Sequence, residues 1–109
     1  MKNNRVFILC DTTSKKWQLP CANAERHVES RQFAVSVEKA WDTLLSAASP
    51  RRLFDGTETE NEKFKKLKKA LKDCRYVYAI DGWEKDPMCV RLERVARWRF
   101  KTFIKDEEE

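Results

Sequence analysis

The sequence predicts an α/β fold in which parallel strands alternate with helices, and three observations carry that expectation. Residues Arg5 to Cys10, RVFILC, form an unbroken apolar run instead of an alternating one, as expected of a strand covered on both faces. Residues Tyr76 to Ile80, YVYAI, form a second such run, which stops at Asp81 and Gly82. Around these runs apolar residues recur at helical spacing. Strand and helix patterns in alternation build a parallel sheet with helices on both faces.

Taken in order, the first strand ends at Asp11, Thr12 and Thr13. Ser14 to Asn23 contains Pro20 and no periodicity, so it reads as a loop carrying Lys15, Lys16 and Trp17. Asn23 to Ser30 is either an earlier turn or part of a longer helix. Phe33, Val37, Trp41, Leu44, Leu45 and Ala48 predict a helix from about 31 to 48, stopped by Pro50. A short second strand is expected near Arg52 to Phe54, followed by a turn at Asp55 and Gly56. From about Thr59 a helix carries Phe64, Leu67, Leu71 and Cys74 on one side and six lysines between Lys63 and Lys72 elsewhere. After the YVYAI strand, Pro87 suits the first turn of a helix running through Leu92, Val95 and Ala96 to about Trp98. Phe100 to Ile104 reads as the last strand. The first strand is expected between the second and third. The whole is a small Rossmann-like (flavodoxin-like) three-layer sandwich with a four-stranded parallel sheet, one domain over 1–105 with an acidic tail at 106–109.

A chain of 109 residues is too short for two units that each bury a core. Four Trp and six Phe supply enough apolar bulk to fold despite the high charge content. No apolar stretch has the length of a secretory leader or a membrane span, which points to a soluble cytoplasmic protein that does not engage a membrane. Cys10, Cys21, Cys74 and Cys89 include no C-x-x-C pair, and His27 is the single histidine. Free thiols in a reducing compartment follow, with no metal and no cofactor expected. The net charge of +5 concentrates in Lys63 to Lys72 and Arg91 to Arg99.

In an open parallel sheet, ligands bind beyond the carboxyl ends of the strands, where strand order reverses. That rule selects Asp11, Thr12 and Thr13, then Asp55 and Gly56, then Asp81, Gly82, Trp83 and Glu84, with the third group expected to form a crevice wall shared with Asp11 and Thr12. The helix starting near Pro87 would aim its N-terminal amides at the same crevice, favouring an anionic group. Glu93 lies in that helix beside the apolar stripe. Asp81, Glu84 and Glu93 could supply the paired carboxylates of glycosyl chemistry, one a nucleophile and one an acid or base. Alternatively, these acids are solvated or paired with Arg91, Arg94 or Arg97.

Leu71 to Ala96, LKDCRYVYAIDGWEKDPMCVRLERVA, resembles small nucleoside 2-deoxyribosyltransferase-like proteins. In that family a helix ending in Cys-Asp leads to a strand, a Gly-Trp-Glu turn and a helix bearing Ala-Arg-Leu-Glu. Gly82, Trp83 and Glu84 match the turn; Val90, Arg91, Leu92, Glu93 and Ala96 match the helix. The family's Ser-x-Gly ahead of the glutamate is replaced here by Asp86, Pro87, Met88 and Cys89. The resemblance implies a nucleoside or nucleotide ligand, a homo-oligomer, and transfer or hydrolysis of an N-glycosidic bond on a deoxyribosyl substrate. It implies Glu93 as nucleophile; the strand-end rule adds Asp81 beside it in catalysis and Asp11, Thr12, Gly82, Trp83 and Glu84 binding substrate. A catalytically silent module of the same fold, binding a nucleotide or a protein, is the alternative.

Two other features have simpler explanations. The basic helix at 63–72 could track a nucleic-acid backbone with Trp17 or Trp83 stacking on a base, but a solvated surface helix needs the same lysines. Trp41 and Trp98 read as core or interface anchors on helices.

Overall fold

The computed structural model describes residues 3–105. The acidic tail at 106–109 lies outside the described residues. Four strands form one all-parallel sheet: β1 (Arg5–Leu9), β2 (Ser46–Ala48), β3 (Tyr76–Ala79) and β4 (Thr102–Ile104). Their spatial order is β2-β1-β3-β4, with β1 between β2 and β3 as expected. The helices are α1 (Gln18–Val28), α2 (Arg31–Glu38), α3 (Pro50–Leu53), α4 (Glu60–Lys72) and α5 (Pro87–Trp98), and a 3-10 turn spans Trp83–Lys85. Among the described residues no helix is long and apolar enough to cross a membrane.

The core splits into two apolar clusters, one on each face of the sheet. Val6 and Ile8 of β1, and Cys10 just after it, point to the side of α1 and α2, where they meet Cys21, Val28 and Phe33. Phe7 and Leu9 point to the other side and meet Leu67 and Leu71 of α4 and Leu92 and Ala96 of α5. Successive strand residues face opposite ways. A strand with a cluster on each side must therefore be apolar at every position, which is why RVFILC does not alternate. The result is the three-layer Rossmann-like sandwich.

Three sequence expectations need correction, all between residues 14 and 54. The stretch read as a loop, Ser14 to Asn23, already contains the first turns of α1. Pro20 sits at the third helical position, where its missing N–H has no intrahelical partner to lose. The single helix expected from 31 to 48 ends at Glu38, with Lys39 left-handed at φ 57°, and Trp41 is an exposed residue of the following connection. The second strand is Ser46–Ala48, not 52–54; Pro50 does not stop a helix but begins α3, capped by the Ser49 hydroxyl, which accepts from the Arg52 amide. Ser-Ala-Ala has little strand preference of its own. Pairing supplies it on both edges. Ser46, Ala47 and Ala48 pair with Arg5, Val6 and Phe7 of β1. On Ala47, the amide donates to Glu29 at 3.0 Å and the carbonyl accepts from Arg52 at 2.9 Å.

The second half follows the sequence closely. Thr59 and Glu62 form a capping box at the start of α4. Helix α5 ends one step before the predicted last strand, because Phe100 adopts φ 58° and closes the helix, leaving β4 three residues long.

Candidate ligand crevice

In the order β2-β1-β3-β4 the chain reverses direction across the sheet between β1 and β3, and the connections leaving those strands part there to leave a crevice. Two cavities occupy it. The smaller, about 220 Å³, is lined by residues of the loop after β1 (Cys10, Asp11, Ser14, Trp17) and of the loop after β3 (Ile80, Asp81, Gly82, Lys85), with Pro20 between them. The larger, about 560 Å³, lies between α1 and the ends of β3 and β4, where Asn23, His27, Tyr78, Asp81 and Lys105 supply its polar groups. Pro20, Ile80 and Asp81 line both.

Asp81 therefore stands where the sequence placed it, exposed at the junction of the two cavities. Gly82 follows in a left-handed conformation at φ 92°, which swings the chain into the 3-10 turn and would strain any other residue. That turn separates the remaining expected residues. Trp83 packs, half-buried, against the cluster of α4 and α5, so it faces the far side of the sheet; Glu84 is exposed; neither lines either cavity.

Around the first strand the geometry is partly self-satisfied. The Asp11 carboxylate accepts from the Thr13 amide at 2.8 Å and from its hydroxyl at 2.5 Å. Thr12 turns away from the cavities, donating from its amide and its hydroxyl to Asp86, each at 3.1 Å. Asp86 is buried and also accepts from the Met88 amide at 2.9 Å, capping α5. The N-terminus of α5, expected to attract an external anion, thus already holds a carboxylate of the chain itself.

Glu93 lies on α5, and its carboxylate is ion-paired with Arg97 one turn later. It lines neither cavity that Asp81 lines. Asp55 and Gly56 follow the short helix α3 rather than a strand, and the Asp55 carboxylate accepts from the Thr57 amide and hydroxyl. The hydrogen bond from Thr57 is the main cause that holds Asp55 below the usual carboxylate range. The structure thus brings Asp11, Asp81 and Gly82 together and leaves Thr12, Trp83, Glu84 and Glu93 outside the cavities.

Sequence reasoning missed the α1 wall. Pro20, Asn23, Ala24 and His27 follow the i, i+3, i+4, i+7 spacing of one helix face. That spacing was readable once the helix was recognised, but Pro20 had disguised it. His27, the single histidine, stacks into an aromatic group with Phe33 and Tyr78, at 4.7 and 5.9 Å between ring centroids.

The four cysteines are free and buried, and Cys10 lines the smaller cavity. The Cys21 thiol beside it and then burial push Cys10 far up, while Cys21 itself is lowered by the same contact. Burial also raises Cys89, and raises Cys74 to about 11. Among the described residues no three His, Cys, Asp or Glu side chains are grouped to hold a metal ion.

A second polar cluster, unforeseen in the sequence, ties α1 to β2 and α3. Glu25 has no accessible surface, and its carboxylate receives Arg51 at 2.6 Å, Arg52 at 3.2 Å and the Ser49 hydroxyl at 2.5 Å. Burial acts to raise its pKa, but the bonds from Arg51 and Ser49 and the two positive charges outweigh it and leave Glu25 below the usual value. Glu29, bonded by Arg52, is lowered as well. This cluster is a buried strut. Compared with known proteins, the chain matches no family model, no curated protein and no solved structure.

Proposed function

We propose that the protein binds a nucleoside or nucleoside phosphate in the crevice beyond β1 and β3. The observation that carries this reading is the position of Asp81, a carboxylate shared by two cavities at the point of strand reversal. The larger cavity has the volume of a small-molecule site. Its chemistry suits the parts of such a ligand. A carboxylate accepts from sugar hydroxyls, and the Asn23 amide offers a donor and an acceptor to a base edge. His27 and Tyr78 give a base an aromatic surface, and Lys105 a charge for a phosphate.

Calorimetric titration with a panel of deoxynucleosides and their monophosphates tests the proposal. Binding of at least one member is expected, and Asp81→Ala should weaken it about tenfold or more, since a carboxylate hydrogen-bonded to ligand contributes roughly 1.5 to 3 kcal/mol. A panel without a single binder, or an Asp81→Ala variant that binds as the wild type does, defeats the reading.

Glycosyl transfer or hydrolysis with Glu93 as nucleophile rests on the resemblance alone and requires Glu93 to exchange its pairing with Arg97 for the crevice. Arg97 is largely exposed while the Glu93 side chain is mostly buried, so the pair is worth about 1 kcal/mol, and Glu93→Ala should move the melting midpoint by no more than a few degrees. Base release from the same panel, followed by chromatography, should then stop in Glu93→Ala. A wild type that binds but releases no base leaves a binding module.

A further inference from the structure

We infer that the carboxyl end of α5 is a docking surface for single-stranded nucleic acid, separate from the crevice. Since β3 and β4 are parallel, α5 must run back against them, so its last turn lies at the strands' amino ends, opposite the crevice. There Trp98 and Phe100 are 77% and 92% exposed. Together with Arg94, Arg97 and Arg99 they line an open, shallow patch. Two large exposed rings among three guanidinium groups are the parts of a stacking platform, in which bases lie on the rings while phosphates meet the arginines.

The backbone makes the exposure of Phe100 informative. The Phe100 amide donates to the Arg97 carbonyl and the Lys101 amide to the Ala96 carbonyl, the paired bonds of a helix terminus whose left-handed residue is usually glycine. Here that residue is Phe at φ 58°, a conformation a bulky side chain rarely adopts. Folding gains nothing from the ring, which stands in solvent. A strained position that keeps an exposed aromatic group points to use outside the fold.

Charge selects the partner. Glu93 pairs with Arg97, but among the described residues no carboxylate forms an ion pair with Arg94 or Arg99. A second copy with this patch on its two-fold axis would bring like charges together, so the charge of the patch disfavours self-association through it. Its charge calls for a polyanion.

Fluorescence anisotropy of labelled oligothymidylate and oligouridylate, each about 12 nucleotides long, tests the inference and separates DNA from RNA as the source. Binding of either oligomer is expected to weaken with salt at a log-log slope of about −1.4, about 0.7 for each of the two phosphates met by Arg94 and Arg99. Trp98→Ala should weaken binding about tenfold. Phe100→Gly should weaken it comparably while raising the melting midpoint by a few degrees, because glycine relieves the left-handed strain. This opposite movement of stability and affinity is the signature of a ring kept for binding. The inference is overturned if neither oligomer binds, if Phe100→Gly binds as the wild type does, if anionic vesicles of phosphatidylserine and phosphatidylcholine bind in place of the oligomers, or if Trp98→Ala merely dissociates a dimer of this chain. Loss of oligomer binding in Asp81→Ala, with Trp98→Ala unaffected, would instead assign the contact to the crevice.

Discussion

Replacing both arginines of the α1–α3 strut, Arg51→Ala with Arg52→Ala, is expected to destabilise the protein by about 3 to 5 kcal/mol, the cost of leaving a buried carboxylate unpaired. That corresponds to a fall of roughly 12 to 20 °C in the melting midpoint. Glu25 would remain without accessible surface and keep only the Ser49 hydroxyl and the Cys21 thiol as neighbours able to donate to it. Either arginine alone matters less, because Arg51 and Arg52 both reach the same carboxylate. The loss extends to the sheet, since Arg52 also holds the Ala47 carbonyl and orients Glu29 against the Ala47 amide at the edge of β2.

The pH dependence of the same pair of proteins checks the cause. In the wild type, Glu25 and Glu29 are lowered in the folded state, so their contribution is present above the unfolded value of about 4.3 and is lost as pH falls through the folded values. Without the arginines, burial acts on Glu25 unopposed and raises it. Its protonated form then suits the fold, and stability falls as pH rises from about 4.3 towards neutrality. Melting curves at a series of pH values should therefore show the gap between the two proteins narrowing as pH is lowered from about 7 to about 5. A gap that stays constant over that range means that the variant suffers from lost packing and not from a stranded charge.

Removing Asp86 has the next largest expected effect, because one buried carboxylate performs two tasks. It caps α5 through the Met88 amide and ties the loop after β1 through the Thr12 amide and hydroxyl. Loss of a cap costs about 1 kcal/mol. Leaving the Thr12 donors unpaired costs about 1 to 3 kcal/mol more. Asp86→Ala should therefore lose about 2 to 4 kcal/mol in denaturant unfolding, and the Thr12 amide should exchange its hydrogen faster than in the wild type. Asp86→Asn keeps one acceptor and should lose less. An Asp86→Ala protein of unchanged stability would show that the tie carries nothing, and would leave the N-terminus of α5 open to the external anion that the sequence suggested.

By itself the sequence determined the elements whose signals are local. RVFILC and YVYAI are apolar at every position because two clusters cover them, so their strands were legible without a partner in view. Thr59 with Glu62, and Asp86 with Pro87, mark the starts of α4 and α5 through side chains that bond backbone groups a few residues away. Asp81 and Gly82 were legible as crevice residues because the end of a strand in a parallel sheet is a ligand position by topology alone. Tertiary structure decided the rest. Ser46–Ala48 is a strand only because β1 pairs with one edge while Glu29 and Arg52 bond the other, and those residues come from α1 and α3. The direction of Trp83, the pairing of Glu93 with Arg97 and the closure of the α5 N-terminus by Asp86 each depend on where a turn or helix packs. Residues close in sequence, such as Asp81 and Trp83, were expected on one wall, and a single 3-10 turn sends their side chains to opposite faces of the sheet.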